Sequence, residues 1–174
     1  MRRYVFLLGL KILSNMSSSP LVPILRNILG LMGGLLVGMF VNMSLIQLGP
    51  KVMAYPEGYD SSNVETISQL ISQLETHHFL WVILAHAMGT LLGAFVASRI
   101  AYSYKQAFAL AIGFFFLLGG IMMVKIAGGP VWMKVADLGL AYIPMAILGW
   151  FLGRVYGRMP SGEDLVDPKH LNQG

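Results

Sequence analysis

Apolar residues dominate this chain in four long runs, over positions 28–48, 79–100, 107–124 and 135–155, separated by shorter polar stretches. None of the runs leaves a polar stripe wide enough to give a helix a wet face. About 20 helical residues cross a hydrocarbon layer of about 30 Å, and each run has the length for a span. Glycines inside the runs fall at helical rather than turn spacing. The pattern predicts an all-α integral membrane protein, a bundle of four transmembrane helices. The 49–78 connection has a different rhythm: Ile67, Leu70, Ile71 and Leu74 recur at helical spacing behind Ser62-Asn63-Val64-Glu65. An S-x-x-E box satisfies free backbone N–H groups at a helix start, so an amphipathic helix is expected over 63–76, its apolar face on the membrane or over the bundle's end.

The ends are read differently. Arg2 and Arg3 precede the short apolar run Tyr4–Leu10, which Lys11 interrupts, and Ser17, Ser18, Ser19 and Pro20 break the pattern. Residues 1–23 read as a cytoplasmic or interfacial extension, with a cleaved signal peptide as the competing reading. The membrane domain is expected over 24–158. Residues 159–174 are too polar to bury a face and read as a disordered cytoplasmic tail.

Charge adds a direction. Lys and Arg collect on the cytoplasmic side of membrane proteins. An even number of spans puts both termini on one side, with Arg2, Arg3, Lys11, Arg26, Arg99, Lys105, Arg154, Arg158 and Lys169; Lys51, Lys125 and Lys134 fall on the other. Nine against three predicts cytoplasmic termini and an outward-facing 49–78 connection. Charged residues are 11% of the chain, well below a soluble protein's share, and a scattered net charge of +4 gives no footprint for nucleic acid. The absence of cysteine removes disulfides, thiolate metal sites and thiol redox chemistry.

Small residues suggest how the helices meet. Gly30, Gly34 and Gly38 step by four in the first span, and Asn42 continues the stripe; Ala85, Gly89, Gly93 and Ala97 do the same in the second. GxxxG-type stripes let two backbones approach closely, so these spans are expected to pack tightly. Leu92–Ala97 also resembles Leu148–Gly153, each run followed closely by an arginine, which raises an arrangement of two parallel helical hairpins.

Polar groups inside a membrane are costly and mark candidate sites. Asn42, His86, Asp137 and Tyr142 fall at similar depth toward the outer side, His86 and Asp137 within about 5 Å of one level at 1.5 Å per residue. A carboxylate beside a histidine favours the imidazolium, so one reading is a buried relay or polar-ligand site. The competing reading is a structural clasp, with Asp137 bonded to Lys134 or Lys125 and His86 to a carbonyl. Pro144 removes a backbone donor in the fourth span and is a hinge candidate. His77 and His78, beside Glu75, are metal-ligand types, but adjacent helical positions point apart, so no metal is expected. No cofactor is expected either: only His86 lies inside the bundle, where a bis-histidine haem needs a pair. Trp81, Trp132 and Trp150 fit interfacial belts.

The segments Arg26-Asn27-Ile28-Leu29, Val41-Asn42-Met43, Ala85-His86-Ala87-Met88-Gly89-Thr90 and Ala141-Tyr142-Ile143-Pro144-Met145 resemble uncharacterised small four-helix proteins of the bacterial inner membrane. The resemblance covers the spans, implies the fold and that location, and implies no substrate. The expected partners are the lipid bilayer and further copies or membrane subunits. The leading functional expectation is a non-enzymatic membrane protein acting through helix packing, as an oligomer or accessory subunit. The alternative is a small transporter or channel with an outward-facing polar site around His86 and Asp137.

Overall fold

A computed structural model describes residues 21–156 of the 174. The expectations for Met1–Pro20 and for the 159–174 tail lie outside the described residues. Among those described, every regular element is helical. α1 runs Leu21–Val52, α2 Val64–Leu70, α3 Thr76–Ile100, α4 Lys105–Ala127, α5 Val131–Leu140 and α6 Ile143–Tyr156; a 3-10 turn, Ile71–Gln73, follows α2. α1, α3, α4 and the broken pair α5–α6 are each long and apolar enough to cross a membrane, with mean hydropathies of 1.7 to 2.4. The end of the bundle bearing the 53–75 connection is called the outer end below, and the end bearing the Ala101–Tyr104 turn the inner end.

Several boundaries differ from the sequence reading. α1 is already helical at Leu21, the first described residue, where the sequence reading starts the span at Ile28. At 32 residues it is about 48 Å long and extends beyond a hydrocarbon layer. The box at Ser62 is not the cap used. Asn63 is the N-cap of α2, its side-chain oxygen accepting from Glu65 N (2.9 Å) and Thr66 N (3.5 Å), while Ser62 turns back to donate to Asp60. α2 is shorter than the predicted helix because it ends at Leu70, where the 3-10 turn takes over. Pro144 does more than kink the fourth span: α5 stops at Leu140 and α6 starts at Ile143. Proline at 144 cannot donate to the Leu140 carbonyl, and the Ala141–Tyr142 turn takes up the interruption.

The glycine stripes lie where the helices touch. A Cβ on Gly34 would stand 2.6 Å from the Gly93 carbonyl oxygen, and one on Gly38 2.8 Å from that of Gly89. Gly30 meets Ala97 and Ala101 nearer the inner end, so α1 and α3 run antiparallel. On α6, Gly149 lies against Leu91, Ala94 and Phe95, and Gly153 against Ser98 and Phe95; this order makes α3 and α6 parallel. α4 closes the bundle: Ile112 covers Gly34 and Gly93, Phe116 covers Gly38, and Gly113 receives Ala146. Two antiparallel hairpins, α1–α3 and α4 with α5–α6, therefore join through the two regions that resemble each other in sequence. Contacts this close let dispersion hold helices in a solvent as apolar as they are.

The inner and outer connections are fastened by polar groups. The Asn27 side-chain oxygen accepts from Tyr102 N (2.9 Å) and Ser103 N (3.2 Å), and its amide donates to Ser103 Oγ (3.0 Å). Arg26 Nε donates to the Ile100 carbonyl (3.2 Å). These bonds pin the tight turn into α4, in which Tyr104 takes a left-handed conformation (φ 49°). At the outer end Gly128 and Gly129 (φ +81° and +106°) turn the chain from α4 into α5.

Candidate functional site

Among the described residues the one buried carboxylate is Asp137, in the last turn of α5, 1% exposed. Two groups hold it. His86 Nδ1 lies 2.8 Å from Asp137 Oδ1, and the Tyr142 hydroxyl donates to Oδ2 at 2.9 Å. The Tyr142 oxygen also lies 2.9 Å from His86 Nδ1, and the two rings stack at 5.7 Å. Three separate features of the sequence bring these side chains together. His86 rides on α3 beside Gly89. Asp137 and Tyr142 flank the break in the fourth span, where the turn folds a residue five positions on back over its neighbour. Gly120 of α4 has no side chain, and the Tyr142 phenol occupies the space that a Cβ there would need.

A nitrogen and a carboxylate oxygen at 2.8 Å need one proton between them, since two lone pairs facing each other would repel. With that proton on Nδ1 donated to Oδ1, the carboxylate accepts two hydrogen bonds, which is how a charge is kept in a dry place. His86 Nε2 then stands outside the triad's hydrogen bonds. It makes no hydrogen bond to the described residues, and the His86 side chain is 14% exposed. Thr90 Oγ1 donates to the His86 carbonyl (2.9 Å), anchoring the helix turn that carries the ring.

The partners expected for a clasp are not those observed. Among the described residues Asp137 forms no ion pair with Lys134 or Lys125, and His86 bonds side chains rather than a carbonyl. Asn42 stands apart from the triad's hydrogen bonds. It packs on Gly89, where a Cβ would meet its own at 2.8 Å, and its Oδ1 is enclosed without a hydrogen-bond partner. Pro144 lies at the start of α6, one helical step past the break.

The two adjacent histidines have separate places. His78 is buried; its Nδ1 accepts from Glu75 N (2.9 Å) and its Nε2 donates to the Ala54 carbonyl (2.7 Å), tying α3 to the outer connection. His77 is exposed, with Nδ1 3.5 Å from Glu75. Among the described residues no three His, Asp or Glu side chains gather as a metal site. Tyr55 and Tyr59 stack beside His78, and burial with the neighbouring Tyr59 pushes the Tyr55 phenol up to about 12. Asp60 is held below the usual carboxylate range by the Ser62 hydroxyl and then the Ser62 N–H.

Trp81 is a pin between helices more than a belt residue: its Nε1 donates to the Leu45 carbonyl (2.7 Å), and Gly49 makes room for the ring. Sequence reasoning missed this contact, the Asn27 clamp, and the part played by Gly113 and Gly120. For the last two a signal existed, two glycines seven apart on one face of α4.

Fold and site together define a polytopic α-helical membrane protein with a hydrogen-bonded carboxylate–imidazole–phenol cluster inside its bundle. No family model, curated protein or solved structure matches the chain.

Proposed function

We propose that this protein is a small proton-linked transporter or channel, whose site around His86 and Asp137 takes up and releases a proton from the side of the 53–75 connection. One observation carries the reading: a carboxylate 1% exposed within a span, bonded to both an imidazole and a phenol. A purely structural bond across helices needs only one donor and one acceptor, and a neutral pair would serve at lower cost. A titratable triad beside a broken helix gives instead a group whose charge can change and an element whose position depends on that charge. The sequence's excess of basic residues on the opposite side supports the outward orientation.

A second reading, action through helix packing as an oligomer or accessory subunit, draws support from the inner halves of the spans. There Gly30, Gly34, Gly93, Gly149 and Gly153 bring backbones into contact, closing the centre of a single chain. The test is proton flux into proteoliposomes driven by a pH step and read with an entrapped dye. On the transporter reading, Asp137→Asn folds and inserts as the wild type does, and flux falls at least about tenfold, the low end of what a positioned acid–base group contributes. Equal flux from the wild type, Asp137→Asn and empty vesicles sinks this reading. Lost assembly in Asp137→Asn without any wild-type flux favours packing.

A further inference from the structure

One imidazole holds both ends of the 53–75 connection. His78 lies in the first turn of α3 and is 4% exposed. Its Nε2 lies 2.7 Å from the carbonyl oxygen of Ala54, where the connection leaves α1. Its Nδ1 lies 2.9 Å from the backbone nitrogen of Glu75, where the connection enters α3. These two bonds fix the state of the ring. A backbone N–H only donates, so Nδ1 carries a lone pair; a carbonyl only accepts, so Nε2 carries the hydrogen. The closed arrangement therefore admits a single form, the neutral Nε2–H tautomer. A proton added at Nδ1 sets two N–H groups against each other, and the bond to Glu75 has to break. The Glu75 side chain accepts in turn from the His78 N–H, completing a capping box, so the ring and the start of α3 are disturbed together.

We propose that His78 is a proton-operated clasp: neutral, it closes the 53–75 connection over the outer end of the bundle, and protonated, it releases both ends. The closed form holds one proton fewer at this ring than the open form, so a fall in pH on that side favours opening. Among the described residues no carboxylate pairs with the His78 ring, and a buried cation without a partner is costly. The neighbours give it no other answer. From α3 itself, His77 stacks on the ring at 4.0 Å and approaches Glu75 at 3.5 Å, so a proton on His77 adds a second positive charge beside the first. From the connection, Tyr55 sets its ring against His78 at 4.3 Å, and Tyr59 lies on Tyr55. Burial holds both phenols above their ordinary range, and Ser62 holds Asp60 below its own, so none of the three changes charge where a histidine does. Behind Tyr55 α1 presents Gly49, and beside Phe79 α5 presents Trp132, neither of them titratable. The connection also carries Ile71, which gathers with Phe79 and Met133 within 4.0 Å of the Cβ position of Gly129, over the outer end of the α3–α5 seam. Opening the clasp frees this cover at both its anchors.

The clasp does not depend on the triad, and Asp137→Asn is expected to keep it. The full chain in nanodiscs is compared at about pH 8 and about pH 5. Nitrogen NMR reads the His78 ring, and amide hydrogen exchange reads the protection of the bonded Asn63, Ile67 and Leu74 N–H groups of the connection. In the wild type Nδ1 is expected to be bare at the higher pH and to carry hydrogen at the lower. Protection in the connection then falls about tenfold or more, the scale of one or two lost hydrogen bonds, while the middle of α3 stays protected. His78→Gln keeps a donor for the Ala54 carbonyl and His78→Asn an acceptor for the Glu75 N–H, and neither takes up a proton. Both are expected to start from lower protection and to hold it at both pH values, so either one that folds serves as the test. His77→Gln is expected to retain the wild-type change. A wild-type Nδ1 still bare at the lower pH, or protection equal at both, makes His78 a static cap and overturns the proposal. A loss of protection that persists in the His78 variants overturns it as well, by assigning the change to another group.

Discussion

At the scale of single residues, the site depends on a phenol that no periodicity distinguishes. Tyr142→Phe keeps the ring stacked on His86 and against Gly120 but leaves Asp137 Oδ2 without its donor. An unsatisfied buried acceptor costs about 1–3 kcal/mol, more where it is charged, so the variant is expected to lose at least that much stability in reversible detergent unfolding. Unchanged stability would mean that Asp137 is uncharged there or finds another donor. Which polar residues share a depth was legible in the sequence, because rise per residue turns position into height. Which of them face each other was not, because facing depends on the rotation of each helix. That rotation is set by glycines on partner helices, and for Tyr142 also by the break ahead of Pro144. The same limit explains Asn42: its stripe with Gly30, Gly34 and Gly38 gave its face, but nothing in α1 reveals that its oxygen is left unpaired.

At the scale of elements, apolar length made the four spans legible, and small-residue spacing gave the α1–α3 contact. The boundaries were less legible, since Pro23 and Pro50 both lie within α1 and the apolar count alone stops short of both. The α2 cap was misassigned because Ser62 and Asn63 are both good caps and Asp60 competes for the serine. Glycine content also overstates packing, since not every helical glycine lies in a seam. Gly119 and Gly139 have nothing within reach of a Cβ, whereas Gly34, Gly93 and Gly149 face backbone atoms at 2.5–2.7 Å. Alanine at 119 or 139 should therefore be neutral, or stabilising by up to about 1 kcal/mol through helix propensity. Alanine at 34, 93 or 149 should cost about 1–3 kcal/mol, because backbone cannot yield as a flexible side chain does. Thermal unfolding of the five variants in one detergent measures the contrast; equal effects in the two groups would contradict the packing described here.

At the scale of the whole molecule, the bundle is two hairpins joined by one main seam. The α1–α3 hairpin carries His86 and Asn42; the α4 to α6 half carries Asp137, Tyr142 and the glycine that admits the phenol. Neither half holds the site alone, so assembly of the halves and completion of the site are one event. Their covalent link, the Ala101–Tyr104 turn, is pinned to α1 by Asn27 and Arg26 and adds no contact between α3 and α6. Helices that are stable separately in a bilayer associate through packing rather than through their loops. A chain divided between Tyr102 and Ser103, with both halves expressed together, is therefore expected to reassemble and co-purify. Gly149→Val in the second half should prevent this, since its side chain would enter the Leu91 carbonyl and the Ala94 methyl, while Gly139→Ala should not. If the divided chain reassembles equally well with Gly149→Val, the α3–α6 seam is not what joins the halves. The triad would then be the stronger link, and Asp137→Leu in the divided chain would be the variant that separates them.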